Sequence, residues 1–163
     1  MWGGKPSAAG MAQEELPSWL GELSQLLKEK KVFKKDFNHV LINEYEPGQG
    51  IMAHEDGPLY ISHVAILSLQ SALMMEIYEK PFADKKKLFS LYLEPRSLLV
   101  FREDVYKRHL HSIEERMTDN LDDGVANLHL LNTSRRGEVE REHTRVSLTI
   151  RIVKKLRQAT PPS

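Results

Sequence analysis

The clearest alternation of polar and apolar residues lies near the end of the chain, at residues 145–151. Arg145, Ser147, Thr149 and Arg151 occupy every second position, and the three residues between them are aliphatic. A period of two is typical of a strand with one buried face. The pattern therefore predicts a strand that carries an arginine at each end of its polar face. By itself, such a face is more often a solvent-facing one with ordinary surface arginines than a ligand site.

Apolar runs elsewhere indicate more strands and one helix. Strands are predicted over residues 40–46, 63–70, 72–79, 88–93, 97–102 and 145–153. An amphipathic helix is predicted over 17–31, where Leu20, Leu23, Leu26 and Leu27 form one apolar stripe. Residues 114–142 are polar and contain turn-forming pairs, so we expect a long, mobile loop there, and a frayed tail after Leu156. Many short strands favour a mainly β (α+β) sandwich or jelly roll with a helix flanking it on the N-terminal side.

Composition narrows the class of protein. The 163 residues suffice for one domain with a substantial core. The chain has 23 basic and 23 acidic residues, so no overall field attracts it to nucleic acid or to a membrane. It has no Cys, which excludes disulfides and thiol chemistry and fits an intracellular protein. We expect neither a signal peptide nor a membrane span.

Three residues have the side chains of a non-haem iron site. In an extended strand, positions i and i+2 share a face, so His54 and Asp56 would offer a nitrogen and an oxygen side by side. His111, from a distant strand, would complete a face of two histidines and one carboxylate. This face leaves coordination positions open and suits Fe(II) better than structural zinc, which prefers a closed tetrahedron. A His-x-Asp triplet alone is weak evidence, since most such triplets are solvated surface.

Polar residues that could hold a small diacid lie upstream and downstream of His54-x-Asp56 in the sequence. Arg145 and Arg151 could each grip a carboxylate with a planar guanidinium. Upstream, Asn43 and Tyr45 share a face of a predicted strand that stops at a Pro-Gly turn, and they could hydrogen-bond a polar ligand.

Taken together, these motifs resemble the AlkB family of iron- and 2-oxoglutarate-dependent dioxygenases. The resemblance rests on Asn43-x-Tyr45-x-Pro47-Gly48, His54-x-Asp56, His111-Ser-Ile113 and Arg145-x-Ser-x-Thr-x-Arg151, in this order and spacing, and covers about residues 2–153. It implies a double-stranded β-helix, the cupin-like form of the jelly roll.

The resemblance also implies a role for each matching residue. His54, Asp56 and His111 would ligate catalytic Fe(II). Arg145 would pair with the distal carboxylate of 2-oxoglutarate, and Asn43, Tyr45 and Arg151 would complete its pocket. Ser147 stands where many members have Asn, which weakens the expectation of a contact there. With O2, such a site would hydroxylate a C–H bond, and on an N-methyl group the product would collapse to formaldehyde.

The substrate is less determined by the sequence. Methylated RNA or DNA is expected from the resemblance, with Tyr60 and Tyr106 as candidates for stacking on a base and Lys107 and Arg108 for meeting phosphate. Tyr60 could equally be core packing. The lysines at the end of the predicted helix, between Lys28 and Lys35, could be a solvated helix end or a phosphate contact. A non-catalytic interaction module for nucleic acid or protein, and a dioxygenase acting on protein side chains, stay open as alternatives.

The expected organisation has three parts. Residues 1–38 would be a lid remnant with the amphipathic helix, 39–156 the dioxygenase core, and 157–163 a tail. Relative to the family, the leading sequence looks short, so we expect turnover of 2-oxoglutarate to exceed demethylation. A monomer located in the cytoplasm and nucleus is expected.

Overall fold

Eight strands of the chain form two four-stranded antiparallel sheets. A computed structural model describes residues 1–81, 83 and 86–157. The strands of these two sheets are β2 (His39–Tyr45), β3 (Ile51–His54), β4 (His63–Ser68), β5 (Leu73–Glu79), β6 (Lys87–Leu93), β7 (Leu98–Arg102), β8 (His109–Ile113) and β11 (Arg145–Arg151). One sheet has the order β2-β11-β4-β7 and the other β3-β8-β5-β6. Consecutive strands mostly lie in opposite sheets, which is the jelly-roll arrangement that the sequence predicts.

The remaining elements are short, apart from one helix. They are β1 (Met11–Ala12), α1 (Ser18–Glu29), α2 (Glu103–Arg108), β9 (Thr118–Leu121), a 3-10 turn (Leu128–Leu130), β10 (Gly137–Glu140) and β12 (Leu156–Arg157). The bounds of α1 confirm the predicted helix to within two residues. Within the described ranges, no helix has the length and apolar character needed to cross a bilayer.

Alternation along β11 divides the core into layers. Leu148 and Ile150 point to one side of their sheet, where they pack with Leu20 and Leu27 of α1. The polar positions of the same strand point to the other side, toward the second sheet. There, Ile66 and Phe101 of the first sheet meet Met75 and Ile77 of the second. Helix α1 therefore covers the outer face of the first sheet and leaves the space between the sheets for a site.

Residues 114–142 are not the mobile loop that their polarity suggests. β9 and β10 pair antiparallel, and Asp119 of β9 and Arg141, directly after β10, are both buried. Arg141 donates to both carboxylate oxygens of Asp119, at 2.8 and 2.9 Å. The expectation was wrong because a buried ion pair has the same composition as a solvated loop. Only its partners in space distinguish the two.

The ends of the described chain also join the fold. β1 pairs in parallel with β12, with Met11 opposite Leu156 and Ala12 opposite Arg157. Arg157 is thus in a strand, contrary to the expected tail, and residues 158–163 lie outside the described residues. Trp2 forms a β-bridge with Val40, so the N-terminal stretch is attached directly to the first sheet.

Candidate metal and dicarboxylate site

A cavity of about 260 Å³ lies between the two sheets and collects the predicted site residues. All eight candidates for metal and cosubstrate binding line it: Asn43, Tyr45, His54, Asp56, His111, Arg145, Ser147 and Arg151. The first sheet contributes the polar faces of β2 and β11, which pair with Tyr45 opposite Arg145 and Asn43 opposite Ser147. The second sheet contributes β3 and β8. The cavity has room for a small organic acid beside the histidines.

The two histidines lie side by side across a strand pair. His54, the last residue of β3, is directly opposite His111 of β8, and their ring centroids are 4.3 Å apart. Nδ1 of His54 is 2.8 Å from the carbonyl oxygen of Met52. A proton on Nδ1 satisfies that contact and leaves the Nε2 lone pair for a ligand, as in metal-binding histidines whose other ring nitrogen donates to a backbone carbonyl.

Burial keeps His111 neutral. Burial, with smaller contributions from the charges of His54 and Arg151, lowers the pKa of His111 to about 3. A neutral imidazole carries the lone pair that a metal ion needs, so His111 is a competent ligand at physiological pH.

Asp56 lies just beyond the end of β3 and has only 2% of its side chain exposed. Its carboxylate forms an ion pair with Arg151. Burial raises the pKa of Asp56, while Arg151 and His54 act in the opposite direction. In the described part of the chain, no three His, Asp or Glu side chains converge as a ligand set. The three predicted ligands line the same cavity without converging on one point. Asp56 pairs instead with the cation Arg151, which a divalent metal would replace.

Arg145 is a buried cation that has no carboxylate partner among the described residues. Only 2% of the residue is exposed, and its guanidinium donates to Ser147 Oγ at 2.7 Å and to Ser68 Oγ at 3.1 Å. Its Nε has no hydrogen-bond partner among the described residues. Burial lowers the pKa of Arg145 to about 10, against an opposing effect of Tyr45. Since an unpaired buried charge costs several kcal/mol, the cavity is built to receive an anion at this end.

Tyr60 does not line the cavity itself but contacts Arg151, which does. Its hydroxyl accepts a hydrogen bond from Arg151 Nη1 at 3.1 Å, and the Arg151 guanidinium lies 4.7 Å from its ring centroid. The residue is 7% exposed and packs with Met11 and Val153. This placement corrects the expectation that Tyr60 stacks on a substrate base, because its ring is enclosed by these neighbours.

The other three substrate candidates lie on α2. The Tyr106 hydroxyl donates to the carbonyl oxygen of Gly57 at 2.5 Å, and its ring lines a small cavity together with Asp56 and His111. Lys107 and Arg108 are exposed and pair with Glu103 and Asp104, at 3.8 and 3.6 Å. The structure therefore brings Tyr106 to the metal end of the site and leaves the two cations on the surface.

Two residues of the site, Ser68 and Thr149, were not predicted from the sequence. Ser68, at the end of β4, holds Arg145, and Thr149 accepts a hydrogen bond from Asn43 Nδ2 at 2.8 Å. Thr149 was visible on the polar face of β11. Ser68 had no such mark, because it follows an apolar run in which every residue looks like core.

The side chains of the cavity fit a divalent metal next to a diacid. They are two imidazoles, a carboxylate and two guanidinium groups, and the guanidinium of Arg145 has no carboxylate partner among the described residues. Asn43 and Tyr45 add neutral hydrogen-bonding groups to the wall of the cavity.

Comparisons with known proteins agree with this site. A family model described as the 2OG-Fe(II) oxygenase superfamily matches residues 1–151. The chain is 39% identical to the "Probable RNA/DNA demethylase ALKBH6" of Danio rerio, over 97% of its own length and 71% of that protein's. It is 32% identical to "Uncharacterized protein L905" of Acanthamoeba polyphaga mimivirus, over 85% of its own length and 59% of that protein's. Together with the geometry of the cavity, these matches confirm the resemblance, and the chain belongs to the 2OG-Fe(II) oxygenase superfamily, as an AlkB-like member.

Proposed function

We propose that this dioxygenase oxidatively removes N-linked methyl groups from nucleic acid, RNA or DNA. The observation that carries the dioxygenase site is the buried Arg145, which lies in the same cavity as the facing pair His54 and His111 and has no carboxylate partner in the described part of the chain. The choice of nucleic acid is supported by the zebrafish relative, which is named as a probable RNA/DNA demethylase.

The metal ligands and the diacid anchor would lie on different sheets. His54, Asp56 and His111 would hold Fe(II) at the β3–β8 side. Arg145 would anchor the distal carboxylate of 2-oxoglutarate, with Ser68 and Ser147 fixing the guanidinium in position. When bound, iron, 2-oxoglutarate and O2 couple decarboxylation of the diacid to hydroxylation of a substrate C–H bond, with release of succinate.

Arg151 would serve both halves of this site. It contacts Asp56 on one side and Tyr60 on the other. Binding of a metal by Asp56 would leave Arg151 with its positive charge facing the cavity, where a carboxylate of the cosubstrate could take the place of Asp56. Tyr60 would keep the guanidinium in place during this exchange, through its hydroxyl and its ring face.

A methylated base would enter next to α2. A base within a stack has to be extruded to reach such a cavity. Tyr106 lines the metal end, and burial, together with the charge of Asp56, raises its pKa to about 12. Its phenol therefore stays protonated at physiological pH, and its proton is donated to the carbonyl oxygen of Gly57, which fixes the ring at the entrance. Lys107 and Arg108, on the same helix, would face the phosphates.

The experiment measures succinate and formaldehyde from the chain loaded with Fe(II) and 2-oxoglutarate. The substrates are oligonucleotides of RNA and DNA with N-methylated bases, and unmethylated oligonucleotides of the same sequence are the control. We expect formaldehyde only with methylated substrate, and none from Asp56→Ala. Succinate without formaldehyde from any oligonucleotide, combined with formaldehyde from methylated peptides, would instead identify a protein demethylase. Binding of oligonucleotides without any succinate would identify an interaction module.

A monomeric state and a cytoplasmic and nuclear localisation stay predictions.

A further inference from the structure

A cluster of exposed lysines follows α1. Residues 28–36, termed here the lysine loop, contain five lysines and two acidic residues in a chain whose overall charge is zero. Lys28 pairs with Asp36 at 2.7 Å. The other four lysines are exposed and form no ion pair among the described residues: Lys30, Lys31, Lys34 and Lys35. The loop is therefore a local positive surface.

The backbone of this loop is held in a fixed position. Phe33 and Phe37 are each 3% exposed, and the Phe33 ring lies 4.8 Å from the His63 ring at the start of β4. Arg102, at the end of β7, donates from Nη2 to the carbonyl oxygens of Lys31 and Val32, both at 3.3 Å. Apolar anchors and a cationic clamp thus fix the loop while its lysine side chains point away from the core.

The loop is joined to two elements that border the metal end of the cavity. Arg102 is followed directly by α2, whose Tyr106 lines the small cavity with Asp56. On its other side, the loop leads into β2, whose first residue His39 is opposite Arg151. These two connections place the loop on the side of the fold at which the proposed base entrance lies.

Lys31 occupies a backbone conformation that glycine prefers. Its φ is 56°, in the left-handed region, immediately after the end of α1. Helices commonly end on a residue in this conformation, and that residue is usually Gly because a side chain costs about 1–2 kcal/mol there. Glycine would adopt this conformation with less strain, so Lys31→Gly is a variant that can remove the charge without damaging the fold.

We propose that Lys30, Lys31, Lys34 and Lys35 contact the phosphates of the nucleic acid whose base enters the cavity. This inference rests on the proposed function and extends it by a binding surface outside the cavity. Contacts of this kind position a strand without reading its sequence. Each neutralised phosphate contributes about 0.7 to the dependence of log K on log salt for a single strand.

The test compares matched pairs of adjacent cations. Lys34→Ala/Lys35→Ala removes two charges from the lysine loop. Arg135→Ala/Arg136→Ala removes two charges from the exposed segment before β10, which packs beside the other sheet. Affinity for a fluorescent single-stranded oligonucleotide is measured by anisotropy at several salt concentrations. We expect at least a fivefold loss for the lysine pair and a salt slope smaller by about 1.4, twice the value for one phosphate. The arginine pair should match the unaltered chain.

Lys31→Gly separates binding from folding. It relieves the backbone strain, so the melting temperature should rise, and it removes one cation, so affinity for the oligonucleotide should fall. A variant that simply folded badly would lose both. Turnover of 2-oxoglutarate without substrate should be unchanged, because this residue does not line the cavity.

Three results would overturn the inference: unchanged affinity of the lysine variants, an equal loss in the arginine pair, or binding of anionic lipid vesicles in place of oligonucleotides. The proposed function fails differently, through absence of formaldehyde from methylated oligonucleotides while the anisotropy of the unaltered chain still reports binding.

Discussion

At the scale of single residues, the site is defined by charges that the protein buries without neutralising them internally. Among the described residues, the side-chain partners of Arg145 are the hydroxyl groups of Ser68 and Ser147. Arg151 forms an ion pair with Asp56, which is a predicted metal ligand. Both arrangements lower the stability of the empty protein relative to a fully paired one. Ligand binding therefore restores contacts that the fold leaves incomplete.

Arg145→Lys should weaken binding of 2-oxoglutarate while metal binding is retained. Lysine keeps the charge and loses the paired contact to a carboxylate, and it cannot reach Ser68 and Ser147 at the same time in the geometry of a planar fork. The expected loss is about 1–3 kcal/mol. Calorimetry with Mn(II) in place of iron measures it. Ser68→Ala, which removes one support of the guanidinium, should cost about 1 kcal/mol. Equal affinity of Arg145→Lys and the unaltered chain would contradict the assignment.

Asp56→Ala should abolish stable metal binding, because it removes both a charge and a ligand atom from the set. The measurement is equilibrium binding of Mn(II) under anaerobic conditions. His54→Ala/His111→Ala should have the same effect. His109→Ala, in the same strand as His111, is the control and should bind metal normally. Retention of the metal by the double histidine variant would show that the site lies elsewhere.

These residues were predictable from the sequence to different degrees. The strict alternation of β11 already placed Arg145, Ser147 and Arg151 on one face, and the structure puts all three in the cavity. The pairing of Arg151 with Asp56 was not predictable, since it joins residues 95 positions apart in different sheets. Ser68 was missed for the same kind of reason: its partner is a charge on a neighbouring strand.

At the scale of elements, the β9–β10 pair is an integral part of the fold. Arg116 connects Asp119 to Glu76 of β5, with contacts of 2.8 and 3.0 Å. Arg141 donates to the carbonyl oxygen of Glu114 at 2.8 Å, just beyond the end of β8. The pair of strands therefore braces the strand that carries His111. A charged network of this kind looks like an exposed loop in composition, which is why the predicted strands stopped short of it.

Arg141→Met should lower the free energy of unfolding by about 3 kcal/mol, because it leaves the carboxylate of Asp119 buried with fewer partners. Urea denaturation measures this value. Arg141→Met/Asp119→Leu removes both charges and should be more stable than the single variant. A double variant less stable than Arg141→Met would mean that the ion pair itself, and not the cost of an orphaned charge, dominates.

At the scale of the whole molecule, the two sheets supply different ligands. β3 and β8 bring the histidines, while β2 and β11 bring the diacid pocket, so the site exists only when the sheets are stacked. The overall charge is zero at neutral pH. The pH dependence of stability must therefore come from individual buried groups more than from general repulsion.

His39 should give such a dependence. It is 1% exposed, and burial lowers its pKa to about 4, with a smaller effect of Arg151. Below about pH 6.5 the unfolded chain binds a proton that the folded protein refuses, so stability falls as the pH drops from 6.5 toward 4. The loss from this group between pH 7 and pH 5 is about 2 kcal/mol, at 1.36 kcal/mol per pH unit.

The measurement is urea denaturation at both pH values. His39→Phe should lose about 2 kcal/mol less than the unaltered chain over this interval. The same pH dependence in both proteins would assign the titration to other groups.

The serine-held guanidinium of Arg145 also has a practical consequence for anyone who purifies this protein. A buried cation that faces an open cavity is a receptor for whatever small anion the solution contains. Chloride, acetate and above all citrate would occupy the pocket during preparation and compete with the cosubstrate by mass action. Apparent dissociation constants would then vary between laboratories with the choice of buffer salt, and citrate would in addition withdraw the metal. Titrations repeated in buffers of different anions would reveal this hidden competitor.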